Sequence, residues 1–264
     1  MKSKSKPVLQ VHREGAVQIV RLADQPTRNS LSDRMRVDLP NALQQAAADP
    51  RVRVLYLTGT GRSFCSGGNL KSLKTLQTPW EVHERFRKLG SWLMPFLRFE
   101  KPVVVGLNGH AVGGGVGLAL GGDVLIAAES AKLISGFFRV GVIPDVAVMY
   151  TLPRLIGLAR AKNFLFSNGT ITAQQAVEMG LAAAVVPDGQ LDAVCLARAR
   201  ELADGPARIM GLAKLLMAHS FETNLNEMFL LEGLGQSLAM SSTECQEGIK
   251  AMMENRPARF HPDT

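Results

Sequence analysis

Cysteine is scarce in this sequence. Its three cysteines, Cys65, Cys195 and Cys245, lie far apart along 264 residues. Such spacing provides neither a disulfide framework nor the closely spaced ligand pairs of a zinc site. The sequence therefore indicates no metal centre, and free thiols suit a reducing, cytoplasmic location.

Long apolar runs are also lacking. No 18 consecutive residues are apolar, and the best candidate stretch is interrupted by Asn108, His110 and Asp123. A membrane-spanning helix needs about 20 predominantly apolar residues. The opening residues, MKSKSKP, carry lysines but no apolar segment follows them, so they do not resemble a secretory signal. We expect a soluble protein.

Acidic residues are outnumbered by basic ones, 23 against 30, which gives a net charge of +7. This excess attracts anionic ligands, although increased solubility is the simpler interpretation. The basic residues are scattered, and only Lys2, Lys4 and Lys6 cluster, so the pattern does not indicate a nucleic-acid-binding surface. A small molecule that carries phosphate groups would account for the charge equally well.

Short valine-rich runs alternate with helical patterns in the first part of the chain. Strands are predicted over residues 17–22, 52–57, 103–107 and 124–127. A helix is predicted from an N-cap at Ser32 to about Ala48. Short apolar runs are typical of strands buried on both faces, and alternating strands and helices indicate an α/β fold.

Only helical patterns occur from Leu191 onward. Helices are predicted over residues 191–203, 207–220, 225–239 and 243–255. Thr243 and Gln246 have the spacing of a capping box at the start of the last one. We therefore divide the chain into a core of residues 1–190 and a helical region of residues 191–264.

Two glycine-rich segments each follow a predicted strand. The first, SFCSGGNL, covers residues 63–70, and the second, NGHAVGGGVG, covers residues 108–117. Glycine at a strand end lets backbone N–H groups approach a ligand closely, since no Cβ atom intervenes. The second segment also opens an apolar helical stretch, whose first N–H groups lie at the positive end of the helix dipole. Two such donors converging on one point form an oxyanion hole, whereas either segment alone is explained equally well as a tight turn.

Further segments match the same pattern: PTRNSL (26–31), KPV (101–103), GVIPD (141–145), TAQQA (172–176) and GL (180–181). Together with the glycine segments they resemble the crotonase superfamily, the enoyl-CoA hydratase/isomerase family, from about Val17 to about Arg259. The resemblance implies a spiral of ββα units with a C-terminal helical trimerisation region. It also implies that the N–H groups of Gly68 and Gly114 bind the thioester oxygen of an acyl-CoA.

Hydratases of this family use two glutamates, and Gly117 and Phe137 occupy their positions here. Adding water across a double bond requires a base, so hydration by the usual glutamate pair is disfavoured. Neither residue carries a proton-transfer group. We therefore expect alanine at either position to affect turnover far less than the loss of a catalytic carboxylate.

Asp145 is the remaining candidate for acid–base catalysis. From the residues alone it is also a good N-cap for the apolar helical run that follows. The resemblance favours catalysis, because members that shift double bonds in dienoyl-CoA or ring-containing acyl-CoA substrates, notably the phenylacetate-pathway isomerase, carry an aspartate here. Burial against Phe137, Phe138 and an apolar acyl group would raise the pKa of Asp145, as a proton shuttle requires.

The 4-chlorobenzoyl-CoA dehalogenase also has its nucleophilic aspartate at this place. Its histidine and its tryptophan fall at Gly90 and Phe137 here, so nucleophilic aromatic substitution is disfavoured. Among nearby polar residues, His110 is expected to shape the second glycine loop. Arg139 is expected to be structural, with pairing to Asp145 as the alternative.

Coenzyme A recognition is assigned by the resemblance to Arg28 and Lys71, which match positions of basic residues near the nucleotide phosphates. Arginine suits a phosphate through its planar fork of donors and lysine as a point charge; a plain surface lysine is the alternative for Lys71. Chain atoms around Ser66–Gly68 would pass along the pantetheine. The segment 71–98, in which Trp80 and His83 have helical spacing, borders the acyl pocket in this family.

We therefore predict an acyl-CoA isomerase in which Gly68 and Gly114 are oxyanion donors and Asp145 is the base and proton shuttle. The predicted substrate-binding residues are Arg28, Ser66, Lys71, Phe137 and Phe138. Coenzyme A is part of the substrate, and no metal or redox cofactor is implied. The alternatives are an enoyl-CoA hydratase or acyl-CoA hydrolase that uses water activated by Asp145, and an acyl-CoA-binding relative without turnover.

The helical region also bears on assembly. Its apolar faces are more than one α/β core would cover, so the sequence predicts a homotrimer or a dimer of trimers.

Overall fold

The computed structural model describes residues 6–75 and 78–261, which form ten strands and twelve helices. The strands are β1 (Leu9–Glu14), β2 (Val17–Leu22), β3 (Val54–Gly59), β4 (Ser63–Cys65), β5 (Val103–Leu107), β6 (His110–Val112), β7 (Val124–Ala128), β8 (Lys132–Ile134), β9 (Thr170–Thr172) and β10 (Ala184–Val186). The helices are α1 (Met35–Ala48), α2 (Leu70–Lys74), α3 (Pro79–Leu97), α4 (Gly114–Ala119), α5 (Phe137–Val140), α6 (Val148–Ile156), α7 (Leu158–Phe166), α8 (Ala173–Glu178), α9 (Leu191–Asp204), α10 (Ala207–Met217), α11 (Leu225–Met240) and α12 (Thr243–Met253).

The strands form two sheets. One has six strands in the order β1-β2-β3-β5-β7-β10, and the other has four in the order β4-β6-β8-β9. Strands β3, β5 and β7 are parallel neighbours in the larger sheet, and β4, β6 and β8 are parallel neighbours in the smaller one. Each strand of the first set is followed along the chain by one of the second and then by helix. The predicted α/β class is confirmed, and the repeat has the order of a ββα unit.

The predicted strands agree with the structure to within two residues. Residues 17–22 and 103–107 form β2 and β5 as expected, whereas the strand predicted at 52–57 begins later, at Val54. Val52 donates its N–H to the carbonyl of Asp49 in the turn that follows α1. The parallel ladder therefore starts with Val54 opposite Val17.

The capping predictions were close in position but named the wrong residues. Helix α1 begins at Met35 and its N-cap position is Arg34, not the predicted Ser32, although the N–H of Met35 donates to the hydroxyl of Ser32 over 3.3 Å. At α12 the capping residue is Ser242, whose side chain accepts the N–H of Cys245, so the predicted capping box at Thr243 and Gln246 is wrong by one residue. Serine and threonine are both favoured N-caps, and the pattern alone did not separate adjacent candidates.

The core lies between the larger sheet and the helices that cover it. Every residue of β3 is buried. The largest fully buried side chains of the core include Tyr56, Phe64, Phe96 and Leu107. Helix α9 packs across β2, β3, β5 and β7. The division at residue 190 stays a prediction.

Helices α10, α11 and α12 differ from α9 in what they leave exposed. Large apolar side chains on and between them point to solvent, namely Met217, Phe221, Leu225, Phe229, Leu230, Leu234, Leu238, Met240, Ile249, Met252 and Met253. None of the helices in the described ranges combines the length and the apolar character needed to span a bilayer.

Candidate active site

The two glycine segments meet at the ends of two adjacent strands. Strand β4 leads into the first segment, β6 lies within the second, and the two strands pair in parallel. Gly67 has a φ of +78°, and a Cβ atom on it would overlap the carbonyl oxygen of Val112 and lie 3.1 Å from the backbone nitrogen of Gly114. Glycine is therefore required for this contact, which brings Gly68 and Gly114 into one site.

The PTRNSL segment is fastened to the first glycine segment by hydrogen bonds. Leu31 donates its N–H to the carbonyl of Gly67 over 2.8 Å, and Ser66 donates its N–H to the carbonyl of Arg28 over 3.0 Å. The hydroxyl of Ser66 donates to the carbonyl of Thr27 over 2.9 Å. These bonds hold the exposed residue Arg28 beside the glycine segment, and they occupy the side chain of Ser66 in bracing the loop.

The predicted oxyanion donors have N–H groups available for a ligand. Within the described ranges, neither Gly68 nor Gly114 donates its N–H to a protein acceptor. Gly114 is buried and is the first residue of α4, where helical N–H groups have no partner within the helix. A buried N–H group requires an acceptor, and a thioester oxygen between the two segments would supply one.

Asp145 lies directly beside the second donor. Its Oδ1 atom is 3.3 Å from the position that a Cβ atom on Gly114 would occupy. Burial raises the pKa of Asp145, and this effect outweighs the opposing influence of Arg36, Arg85 and the residue's own backbone N–H. The site therefore contains a half-buried carboxyl group, biased towards its protonated form, next to the proposed thioester position.

The alternative role of Asp145 as an N-cap is wrong. Helix α6 begins at Val148, its N-cap position is Ala147, and no side chain caps it. Val148 donates its N–H to the backbone carbonyl of Asp145, not to the carboxylate. Val146 and Ala147 both have positive φ values, +51° and +59°. This turn is unusual for a β-branched residue, and it delays the start of the helix, so the Asp145 carboxylate does not cap α6.

The positions of the two hydratase glutamates are occupied in different ways. Gly117 lies against the turn after Asp145, and a Cβ atom on it would overlap the carbonyl oxygen of Val146. Phe137 is 5% exposed, and its ring lies 3.7 Å from a Cβ position on Gly113. The structure thus places Phe137 at the second glycine segment. Phe138 is exposed and packs edge-to-face on Phe166, so the structure does not bring it to Asp145.

Two arginines near Asp145 were missed by sequence reasoning. Arg36 on α1 and Arg85 on α3 both influence the Asp145 carboxyl electrostatically. The Nε atom of Arg36 donates to the carbonyl of Leu31 over 2.8 Å, and Leu31 Cδ1 is 3.6 Å from the Cβ position on Gly114. Arg36 is five residues after the end of PTRNSL, and this closeness in the sequence could have indicated that it lies near the site. Arg85 belongs to a distant segment, and no sequence pattern indicated that it lies near Asp145.

The other predicted residues lie at the edges of the site or outside it. Lys71 is exposed on α2, and its N–H donates to the side chain of Asn69. His110 is exposed on β6.

Arg139 bonds to Asn168 through its N–H and its guanidinium, so the alternative in which it pairs with Asp145 is not observed. Asp123 accepts from the N–H of Val103 and pairs with Lys214, both over 2.7 Å, as a structural residue would.

Helix α3 has the helical spacing expected of the segment that borders the acyl pocket. Its N-terminus has a capping box made by Thr78 and Glu81, and the exposed rings of Trp80 and His83 stack with centroids 5.1 Å apart. A cavity of about 530 Å³ separates its C-terminal end from α6 and from the segment after α10, next to Ala147. Ala147, which lines this cavity, is two residues after Asp145 in the sequence.

Comparison with known proteins agrees with this geometry. Residues 12–263 match the family described as enoyl-CoA hydratase/isomerase. The chain is 35% identical over 254 residues to the 1,2-epoxyphenylacetyl-CoA isomerase of Escherichia coli, covering 94% of this chain and 96% of that protein. It is 35% identical over 234 residues to a probable enoyl-CoA hydratase of Rhodobacter capsulatus, covering 88% and 89%.

Solved structures show the same fold. An enoyl-CoA hydratase/isomerase from Cupriavidus metallidurans superposes with a TM-score of 0.92 at 28% identity, covering 99% of this chain and 100% of that chain. An enoyl-CoA hydratase from Bacillus anthracis superposes with a TM-score of 0.90 at 29% identity, covering 96% and 100%. The protein therefore belongs to the enoyl-CoA hydratase/isomerase family and has the crotonase fold.

Proposed function

We propose that this protein is an acyl-CoA isomerase that shifts a double bond by proton transfer through Asp145. The observation that carries the proposal is the position of the Asp145 carboxyl beside Gly114, combined with Gly117 and Phe137 at the two places where hydratases have glutamates. One proton-transfer group next to an oxyanion hole suits the removal and return of one proton. It does not provide the pair of carboxylates on which the usual hydration depends.

The reaction begins when the thioester oxygen accepts hydrogen bonds from the N–H groups of Gly68 and Gly114. Ionised Asp145 removes a proton from a carbon of the acyl group, and the electron pair of that C–H bond enters the enolate-like system. The two donors stabilise the negative charge on the oxygen, and one such donor typically contributes about 3–4 kcal/mol. Protonated Asp145 then returns the proton to another carbon, and the double bond has moved without change of mass.

The pKa of Asp145 suits both halves of this cycle. Burial disfavours its ionised form, which makes the ionised carboxylate a stronger base, and the protonated carboxyl group is still acidic enough to return its proton to an enolate-like carbon. Arg36 and Arg85 oppose burial and keep the ionised form accessible. Coenzyme A is part of the substrate in this proposal, and Arg28 and Lys71 are the residues assigned to its phosphates.

The names of the relatives support an acyl-CoA substrate but point to two reactions, since one is an isomerase and others are probable hydratases. Asp145 could act on water in place of an acyl carbon, giving hydration or thioester hydrolysis. The experiment is therefore a panel of straight-chain 3-enoyl, dienoyl and ring-containing acyl-CoAs, followed by absorbance and product mass. The proposal expects a product of unchanged mass, with less than one deuterium incorporated when the reaction is run in D2O, because Asp145 returns the proton that it removed.

The other outcomes overturn the proposal in distinct ways. A product heavier by one water shows a hydratase, and a released thiol shows a hydrolase. Acyl-CoA binding with no turnover across the panel shows a binding protein.

A further inference from the structure

Arg36 and Arg85 come from different helices and face the same carboxyl group. Arg36 lies on α1 and Arg85 on α3. Burial lowers the pKa of both, the positive charge of Arg85 lowers the pKa of Arg36 further, and the charges of Asp33 and Asp145 act on both arginines in the opposite direction. The side chain of Arg85 is only 12% exposed. Two guanidinium groups are thus held together in a partly dry region beside the proposed catalytic residue.

Arg85 makes little use of its hydrogen-bonding capacity. Among the described residues it forms one ion pair, with Asp33, at an N–O distance of 3.8 Å, and the Asp33 side chain is 79% exposed. Its buried Nη2 atom has no hydrogen-bond partner among the described residues. A guanidinium carries five N–H donors in a rigid fork, and leaving a buried donor unpaired is costly. The group is therefore placed to receive an acceptor that the described part of the chain does not supply.

The charges around this pair favour an anion as that acceptor. Burial, followed by the positive charge of Arg85, lowers the pKa of Arg36 to about 10. The facing carboxyl groups are Asp33, which is exposed, and Asp145, whose ionised form is disfavoured by burial. Solvent screens the charge of the exposed Asp33, so this carboxylate offsets the two cations only weakly. A planar carboxylate matches the guanidinium fork in shape and in sign.

We propose that Arg36 and Arg85 bind a carboxylate on the acyl group, so that the preferred substrates are coenzyme A thioesters of dicarboxylic acids. The inference rests on the proposed function to the extent that the thioester oxygen lies at Gly68 and Gly114. Leu31 links Arg36 to that hole, since its carbonyl accepts from Nε of Arg36 and its Cδ1 atom lies 3.6 Å from the Cβ position on Gly114. This short path favours a short acyl group whose far end reaches the arginines while its reacting carbons lie at Asp145.

The test measures binding of saturated acyl-CoAs, which cannot isomerise. Glutaryl-CoA and adipoyl-CoA are compared with their monomethyl esters and with pentanoyl-CoA and hexanoyl-CoA by titration calorimetry. The parent is expected to bind at least one free carboxylate about tenfold to a hundredfold more tightly than its ester, as a charge-assisted hydrogen bond would give. In Arg85→Met this preference is expected to fall to about twofold or less, with the affinity for hexanoyl-CoA unchanged within about twofold.

A matched control lies on the same helix. Arg87 is exposed and pairs with Glu84 over 2.8 Å, so Arg87→Met is expected to keep the carboxylate preference. Arg85→Lys retains a positive charge and is the second variant if Arg85→Met does not fold; it is expected to keep part of the preference. Equal affinity of the parent for carboxylates and esters would overturn the inference, as would equal losses in Arg85→Met and Arg87→Met.

The experiments distinguish failure of the carboxylate-binding inference from failure of the proposed reaction. If carboxylate-selective binding depends on Arg85 but no enoyl-CoA is isomerised, the inference stands and the proposed reaction is wrong. If uncharged enoyl-CoAs are isomerised and no carboxylate preference exists, the reaction stands and the inference is wrong.

Discussion

Gly117 packs so closely against Val146 that a Cβ atom on the glycine would overlap the valine carbonyl oxygen. Val146 immediately follows Asp145, so α4 directly supports the turn that carries the proposed catalytic carboxyl. The expectation that alanine at Gly117 or Phe137 affects turnover far less than loss of a catalytic carboxylate stays a prediction, but neither substitution is structurally neutral. Gly117 has no room for a methyl group, and Phe137 is buried against Gly113.

We predict that Gly117→Ala lowers both stability and turnover. Overpacking of this kind typically costs about 1–3 kcal/mol, and relief of the overlap moves the turn that holds Asp145. Urea unfolding and kcat measure the two effects. Gly90→Ala is the control, because nothing lies within 4 Å of its Cβ position in α3, and alanine is favoured over glycine in helices. Parental stability and turnover in Gly117→Ala would show that the turn tolerates displacement.

Much of this site was predictable because its parts are local. The glycine segments follow strands that pair in parallel, so a pattern read separately in each segment placed Gly68 and Gly114 together. Apolar runs of strand length predicted strands of the larger sheet, because such runs are also a local feature of the sequence. The family pattern singled out Asp145, whereas physical chemistry alone supported a helix cap equally well.

The remainder depends on tertiary contacts that leave no local pattern. Left-handed φ values at Val146 and Ala147 are contrary to the preference of non-glycine residues, so the residues themselves predicted a helix that follows directly on Asp145 as its N-cap. Arg85 reaches Asp145 only because α3 packs near α1. Its polar neighbours in sequence indicated an exposed surface position.

Arg28 is predicted to recognise the 3′-phosphate of coenzyme A. Arg28→Ala is expected to weaken binding of coenzyme A more than binding of its dephospho form, because only the former carries that phosphate. The control is Arg51→Ala, since Arg51 precedes the amino end of β3 and the glycine segments follow the carboxyl ends of their strands. Titration calorimetry with both ligands gives the comparison, and equal losses for the two would remove Arg28 from the 3′-phosphate.

Assembly into a trimer or a dimer of trimers is predicted from the exposed apolar residues of α10 to α12. Leu225, Met252 and Met253 are each at least 80% exposed in the single chain, and contiguous apolar surface of this kind marks interaction sites. Light scattering at micromolar concentration measures the mass directly. A monomer under these conditions would contradict the prediction.

The pH dependence of turnover is predicted to report the raised pKa of Asp145. The base must be ionised, so kcat/KM rises with pH, and its acidic limb lies above the ordinary aspartate value of about 3.9. Arg85 lowers the pKa of Asp145, so Arg85→Met is expected to move this limb to higher pH. Arg87→Met should leave it unmoved. A limb that stays in place or moves down in Arg85→Met would contradict this account of the electrostatics.

Replacement of Asp145 by asparagine separates chemistry from folding. Asn has nearly the same shape but cannot accept the proton, and loss of general acid–base catalysis typically costs about 10²–10⁴ in rate. Because the folded-state pKa of Asp145 is raised, ionisation destabilises the fold as pH increases through that pKa. Asp145→Asn is therefore expected to be at least as stable as the parent at neutral pH, and thermal unfolding serves as its control.

The most direct measurement is the turnover number of Asp145→Asn with a substrate that the parent isomerises, alongside its affinity for a saturated acyl-CoA. We predict that the variant folds, binds the acyl-CoA with near-parental affinity, and loses at least about a hundredfold in kcat. A folded variant that isomerises the substrate at near-parental rate would show that Asp145 does not carry the proton.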